Sequence, residues 1–267
     1  METHEPGAVP HAYWLIEGNR SQVVNASIIE ESRVSIYVNG QELATIMCSP
    51  MHQEALALGF LFNEGIIQSV DEIGLIQANL PRTTVDVFLK RTEFNPPRRL
   101  IITSGCGGGV TLVQLTESYP ALASEYDTTP DVLLRNMKEL RGVSHLYNQT
   151  RGIHTSALAN EEGILISAED VGRHNTIDKI AGKALQAAID MSDCMLLTSG
   201  RISSEMLNKA RRMEIPLVVS RTAPTSITVQ LAQAWDICVV GYVRQNRMRV
   251  YTHPQRLGLG KLAVRNQ

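Results

Sequence analysis

The residue set most clearly for chemistry is Cys106, which lies in the run Ser104-Gly105-Cys106-Gly107-Gly108-Gly109. Glycine lets a backbone enter conformations closed to other residues, so amide N–H groups can converge on one point. A thiol held at such a point is accessible, and the N–H dipoles favour its thiolate. The thiolate is the form that attacks another sulfur, so the loop suits a sulfur carrier. A plain glycine turn with an incidental cysteine fits the residue types equally well. The segment lacks the lysine and hydroxyl residue of a Walker motif and fits no G-x-G-x-x-G pattern. Cys48, Cys194 and Cys238 sit in strand-like apolar surroundings, where a buried thiol usually fills space. The four cysteines share no metal or disulfide spacing, and a reducing cytoplasm suits such usage.

A second constellation is Glu169-Asp170-Val171-Gly172-Arg173-His174-Asn175, followed by Asp178 and Lys179. It falls where a strand should pass into a helix, and helix N-termini offer free N–H donors and partial positive charge. His174 could move a proton or orient a cofactor, and Arg173 could bind an anion. The plainer alternative is capping by Asp170 or Asn175, with His174 merely half-buried. Ser199-Gly200-Arg201 and the run 220–226 repeat this junction design. In an open α/β sheet such loops line one crevice, here suited to a nucleotide-like ligand. His154, in Gly152-Ile153-His154-Thr155-Ser156, matches the start of a zinc deaminase pattern. Ser156 stands where that chemistry needs glutamate, and the chain has no P-C-x-x-C, so neither zinc nor a structural metal is expected.

These residues need a scaffold, and the pattern supplies one. The segment 34–38 alternates as a strand, Asn39-Gly40 signals a type I′ turn, and 42–47 returns as a hairpin. Ser49-Pro50 reads as the start of a helix over 51–62, with Ser49 as cap. Val85, Val87 and Leu89 mark another strand, and 100–103 a short one leading into the Cys106 loop. Thr129-Pro130 opens a helix that Gly142 closes. Beyond it, short apolar runs at 164–168, 194–198, 217–220 and 237–243 alternate with helices at 174–189, 204–214 and 225–235. That rhythm predicts an α/β architecture, a parallel or mixed sheet covered by helices, behind a smaller β-rich N-terminal portion. The expected division is 1–125, ending in the Cys106 loop, and 126–267, with a soft boundary.

The 267 residues are 43% hydrophobic and 19% charged, with formal net charge -2, as in ordinary globular proteins. Nothing global points to a nucleic-acid polymer or an acidic membrane surface. No basic segment followed by an apolar stretch opens the chain, and no uncharged run is apolar enough to span a bilayer, so neither a signal peptide nor membrane insertion is expected. The local cluster Arg244, Arg247 and Arg249 suits a small phosphorylated ligand.

Taken in order, these segments resemble the FdhD family of formate dehydrogenase accessory proteins over roughly residues 32–257. The matching stretches are 60–67 (FLFNEGII), 104–107 (SGCG), 152–154, 169–175, Asp178-Lys179, 199–201, 223–226 and 250–254 (VYTHP). The resemblance implies a cytidine-deaminase-like fold without zinc, usually in a homodimer. It implies that Cys106 receives sulfur as a persulfide from a cysteine desulfurase. The sulfur would pass to a molybdenum bis-guanine-dinucleotide cofactor destined for apo formate dehydrogenase, and a GDP-like nucleotide would mimic that client. Carried over by position, Tyr242, Val243, Arg244, Gln245, Asn246 and Arg247 form the cofactor-binding stretch, and arginines suit its phosphates. Arg173, His174, Ala223, Pro224, Thr225 and Ser226 would be cofactor neighbours. The family commonly has C-x-x-C in the loop, and here Gly109 takes the second place. That disfavours a dithiol redox role and leaves single-cysteine transfer intact. Two other readings stay open: a cofactor-binding chaperone with Cys106 chemically idle, and a cysteine-nucleophile hydrolase pairing Cys106 with His154 or His174.

Overall fold

The structure is a computed structural model that describes residues 7–80, 82–95 and 119–260. The chain begins with a two-stranded ribbon, β1 (Ala8–Glu17) and β2 (Arg20–Ile29), paired antiparallel from Ala8↔Ile29 to Glu17↔Arg20. Next come β3 (Ser32–Val38), β4 (Gln41–Cys48), helix α1 (Gln53–Asn63), β5 (Ile73–Ala78) and β6 (Thr84–Leu89). The last four strands form one sheet in the order β4-β3-β6-β5. Asn39 and Gly40 both take positive φ, 49° and 80°, as the type I′ turn between β3 and β4 requires. Val34, Ile36, Val85 and Val87 bury one face of this sheet in a core with Leu56, Phe60 and Leu61 of α1.

The second part contains α2 (Pro130–Gly142), α3 (His145–Thr150), β7 (His154–Ala159), β8 (Ile164–Asp170), α4 (Arg173–Gln186) and β9 (Met195–Thr198). It continues with α5 (Ser204–Arg212), β10 (Leu217–Ser220), α6 (Ser226–Trp235), β11 (Cys238–Arg244) and β12 (Arg247–Val250). Its six strands run β12-β11-β10-β9-β7-β8; β9, β10 and β11 are parallel and the remaining pairings antiparallel. Alternation divides the strands between two cores. Leu196, Val218 and Val239 pack with Ile177, Met206, Leu231 and Trp235 of α4, α5 and α6. Leu197, Val219 and Val240 pack with Leu133, Met137 and Leu140 of α2. The result is a mixed sheet covered by helices on both faces, the α/β class that the sequence rhythm predicts.

The two sheets are joined where α1 crosses α4. A Cβ at Gly59 would overlap the Asp178 carbonyl, and one at Gly182 would overlap that of Ala55, so only glycine permits this approach. Buried polar bonds reinforce the crossing. Asn63 Nδ2 donates to Asp178 at 2.8 Å, and Lys209 pairs with the same carboxylate at 2.6 Å. Ser49 behaves differently from its predicted role as a helix cap. It is fully buried; its N–H donates to Asp170 at 3.1 Å and its carbonyl accepts from Lys179 at 3.2 Å. The helix starts later, at Gln53, with His52 in the left-handed region and no capping side chain. The helix predicted over 174–189 likewise ends early, at Gln186, where Ala188 turns to φ 52°. The strand expected at 100–103 and the Cys106 loop lie outside the described residues.

Candidate active site

The C-terminal ends of β9, β10 and β11 and the start of antiparallel β7 meet at one end of the large sheet. There they border a cavity of about 340 Å³, lined by residues that include Tyr147, Arg151, His154, Ser199, Arg221, Thr222 and Arg244. Strand register sets these positions. Ser199 follows β9, and its N–H donates to the Thr155 carbonyl at 2.9 Å, while its Oγ accepts from Thr155 N at 3.0 Å. The His154 ring lies beside that hydroxyl, Nδ1 to Oγ 3.5 Å. Arg221 follows β10, and its carbonyl accepts from Arg244 Nε of β11 at 3.4 Å. Arg151 ends α3 in the left-handed region and lies over the Tyr147 ring, 5.2 Å from its centroid.

The charge of this cavity is one-sided. Among the described residues that line it are three arginines and no carboxylate. Burial, and then the charge of Arg173, lowers the His154 pKa, so the imidazole is neutral at pH 7 and the arginines carry the charge. Such a basket of guanidinium, hydroxyl and backbone groups suits a phosphorylated ligand.

The EDVGRHN run is divided between scaffold and site. Glu169 caps α3, accepting from the N–H groups of Leu146 and Tyr147, both at 3.0 Å. Asp170 takes the Gly172 N–H and Asn175 Nδ2, both at 2.8 Å, and pairs with Lys179 at 2.6 Å. Arg173 packs over Gly200, where an added Cβ would lie 3.1 Å from the Arg173 Cβ and 3.5 Å from His154 Nδ1. Its buried Nε has no partner among the described residues. His174 turns the other way, with Nε2 3.2 Å from Ser203 Oγ and 3.1 Å from Glu205. Burial, and then the charge of Arg173, holds its pKa down at about 4.

The other expected site residues are dispersed. Arg244 reaches the cavity, whereas Val243 is buried in the core beside α2. Tyr242, at φ 52°, carries the Arg249 guanidinium 4.1 Å from its ring centroid. Gln245, Asn246 and Arg247 are exposed at the β11–β12 turn. Ala223, Pro224 and Thr225 run beside Ile202: the Ala223 carbonyl accepts from Ile202 N and Thr225 N donates to Ile202 O. Thr225 then caps α6, accepting from Thr228 N, and Ser226 begins the helix, exposed. Ser156 is buried in a hydroxyl cluster with Thr176 and Thr198, at 2.7 and 3.1 Å. Tyr147 and Arg151 carry no sequence signal for binding, because they reach the cavity only through the capping of α3 by distant Glu169.

The comparisons with known proteins agree with this architecture. The family model described as FdhD/NarQ matches residues 29–258, and the chain belongs to that family. It is 36% identical over 236 residues to a sulfur carrier protein FdhD of Wolinella succinogenes, covering 87% of this chain and 82% of that one. A sulfur carrier protein FdhD of Bacillus subtilis is 33% identical, covering 91% and 95% of the two chains. A crystal structure from Desulfotalea psychrophila, assigned as a formate dehydrogenase accessory protein, superposes with TM-score 0.79 and 26% identity. The match covers 94% of this chain and all of that one.

Proposed function

We propose that this protein carries sulfur for formate dehydrogenase, taking it as a persulfide on Cys106 and presenting it to a molybdenum bis-guanine-dinucleotide cofactor as client. Membership of a family whose relatives are named sulfur carriers supports the role. The observation that carries the residue assignment is the state of the other thiols. Cys48, Cys194 and Cys238 are all buried. Burial is the first cause raising each, and their pKa values stand at about 12, 11 and 12. None of them is a nucleophile at pH 7, which leaves Cys106 as the cysteine for exchange chemistry.

In the loading step the Cys106 thiolate attacks the terminal sulfur of the desulfurase persulfide. One S–S bond forms at Cys106 as another breaks, and the donor cysteine leaves as thiolate, so no external oxidant is needed. The client is expected to dock by a guanine-nucleotide arm in the cavity lined by Arg151, Arg221 and Arg244, whose volume of about 340 Å³ is in the range of small-molecule sites. Arg173 and the neutral His154 would border its phosphates. In this reading the working unit is a homodimer in the cytoplasm, with a cysteine desulfurase and apo formate dehydrogenase as partners.

Two variants separate the halves of the proposal. Cys106→Ala should lose sulfur loading and formate dehydrogenase maturation while binding GDP as the parent does. Arg221→Gln/Arg244→Gln should still load sulfur but bind GDP at least ~10-fold more weakly, given about 1.5–3 kcal/mol for a hydrogen bond to a charged group. Maturation that survives Cys106→Ala would replace sulfur carriage with a cofactor-chaperone role.

A further inference from the structure

Among the described residues, β1 and β2 form a sheet of their own, each strand ten residues long. The ribbon is anchored at its root, where Ala8 and Ile29 pack with Leu146 and Ile153. Ile153 also lines the arginine cavity, so the ribbon starts behind that wall. Beyond the root its apolar side chains face outward: Trp14, Ile16 and Val23 are 67%, 71% and 56% exposed. A two-stranded ribbon by itself is marginal in water, and stability comes with three or more strands and a hydrophobic face. Long apolar strand edges of this kind are ordinarily paired, covered or blunted.

The two open edges of the ribbon differ. Glu30 N donates to the Gly7 carbonyl at 2.9 Å, which extends the β1–β2 register by one pair and fixes its phase. Hydrogen-bonded and non-hydrogen-bonded pairs alternate along an antiparallel ladder. The residues of β1 whose backbone groups point away from β2 are therefore Ala8, Pro10, Ala12, Trp14 and Ile16. On β2 they are Ser21, Val23, Asn25, Ser27 and Ile29. Pro10 has no N–H to offer, so it blunts the β1 edge. β2 contains neither proline nor glycine, and its outward N–H groups form an unbroken row.

Charge then selects the partner. Arg20 stands at the tip of β2 and Glu30 just past its root, about 30 Å apart along the strand. Neither forms a salt bridge among the described residues, Arg20 with its cross-strand neighbour Glu17 included. A second β2 laid antiparallel on the first, with Asn25 facing Asn25, brings each Arg20 opposite the partner's Glu30. In that register Val23 meets the partner's Ser27, and outward-facing backbone meets outward-facing backbone. Directly opposed residues share a face, so Trp14, Ile16 and Val23 of both copies lie on one side.

We infer that β2 pairs edge to edge with β2 of a second copy of this chain, closing two ribbons into one four-stranded sheet, β1-β2-β2-β1, across a two-fold axis. The inference rests on the homodimer of the proposed function and names its interface.

The test is sedimentation velocity on the full chain over a range of concentrations. The parent should sediment as a dimer. Asn25→Pro removes one outward N–H from each copy and should weaken the dimer by ~10-fold or more. Ala12→Pro falls in the same ladder pair but removes an outward N–H from β1, so it burdens the ribbon alike and should leave the dimer intact. Arg20→Glu and Glu30→Arg should each weaken the dimer, and Arg20→Glu/Glu30→Arg should restore it. The two residues are too far apart to compensate within one chain, so restoration reads a contact between copies. In a dimeric parent, equal effects of Asn25→Pro and Ala12→Pro, or no restoration by the charge swap, would overturn the inference and leave the homodimer to another surface. A parent that is monomeric throughout would overturn the homodimer as well.

Discussion

Replacing Lys179 by methionine removes one half of an ion pair that has no exposure on either side chain. The Lys179 ammonium lies 2.6 Å from Asp170 and also donates to the carbonyls of Ser49 and Glu169. In the variant Asp170 keeps three neutral donors, the N–H groups of Ser49 and Gly172 and Asn175 Nδ2, but its charge is uncompensated. Stranding a buried charge in this way costs about 3–5 kcal/mol. At about 2–4 °C per kcal/mol for a chain near this size, the melting temperature should fall by about 6–20 °C. Adding Asp170→Asn removes the stranded charge, so the double variant should be more stable than Lys179→Met alone. Differential scanning calorimetry of the parent, both single variants and the double variant closes the thermodynamic cycle. A Lys179→Met protein melting within ~2 °C of the parent would refute the cost expected for a buried, hydrogen-bonded pair.

Other outcomes follow from the same geometry. The His174 pKa is about 4 in the folded protein against 6.5 unfolded, so the unfolded chain binds more protons between those values. Its contribution is present above pH 6.5 and lost as pH falls toward 4. It amounts to on the order of 1–3 kcal/mol, and His174→Gln should flatten the stability–pH curve in that window. Gly200→Ala places a Cβ 3.1 Å from that of Arg173, so Arg173 must shift by a few tenths of an ångström. The expected result is weaker GDP binding with a nearly unchanged melting temperature. Gly59→Ala drives a methyl into the Asp178 carbonyl. It should cost about 3 kcal/mol or more in urea unfolding, the upper range for overpacking.

Those parts of the fold governed by local chemistry are legible in the sequence. Asn39-Gly40 makes its turn because asparagine and glycine are both among the residues that readily take positive φ. Thr129 and Thr225 cap their helices as their types predict, and the apolar runs at 217–220 and 237–243 are buried strands of the large sheet. Elements held by distant partners are not legible. Ser49 looks like a cap until Asp170 and Lys179, more than 120 residues away, claim its backbone. The ribbon of residues 8–29 leaves Tyr13, Trp14, Ile16 and Val23 exposed, so it lacks the in–out alternation that marks a strand. At the site, Ser199 and Arg221 can be located because they follow buried strands in an α/β sheet. Arg151 cannot, since six-residue α3 is placed by Glu169 and not by its own sequence.

The central claim is that sulfur rides on Cys106, and intact-protein mass spectrometry after incubation with a cysteine desulfurase and cysteine tests it most directly. The account predicts a gain of about 32 Da, one sulfur atom, that reductant removes and peptide mapping assigns to Cys106. It further predicts the same gain in Cys48→Ala, Cys194→Ala and Cys238→Ala, whose parent thiols are buried. No added sulfur, or sulfur mapped to one of those three, would contradict it.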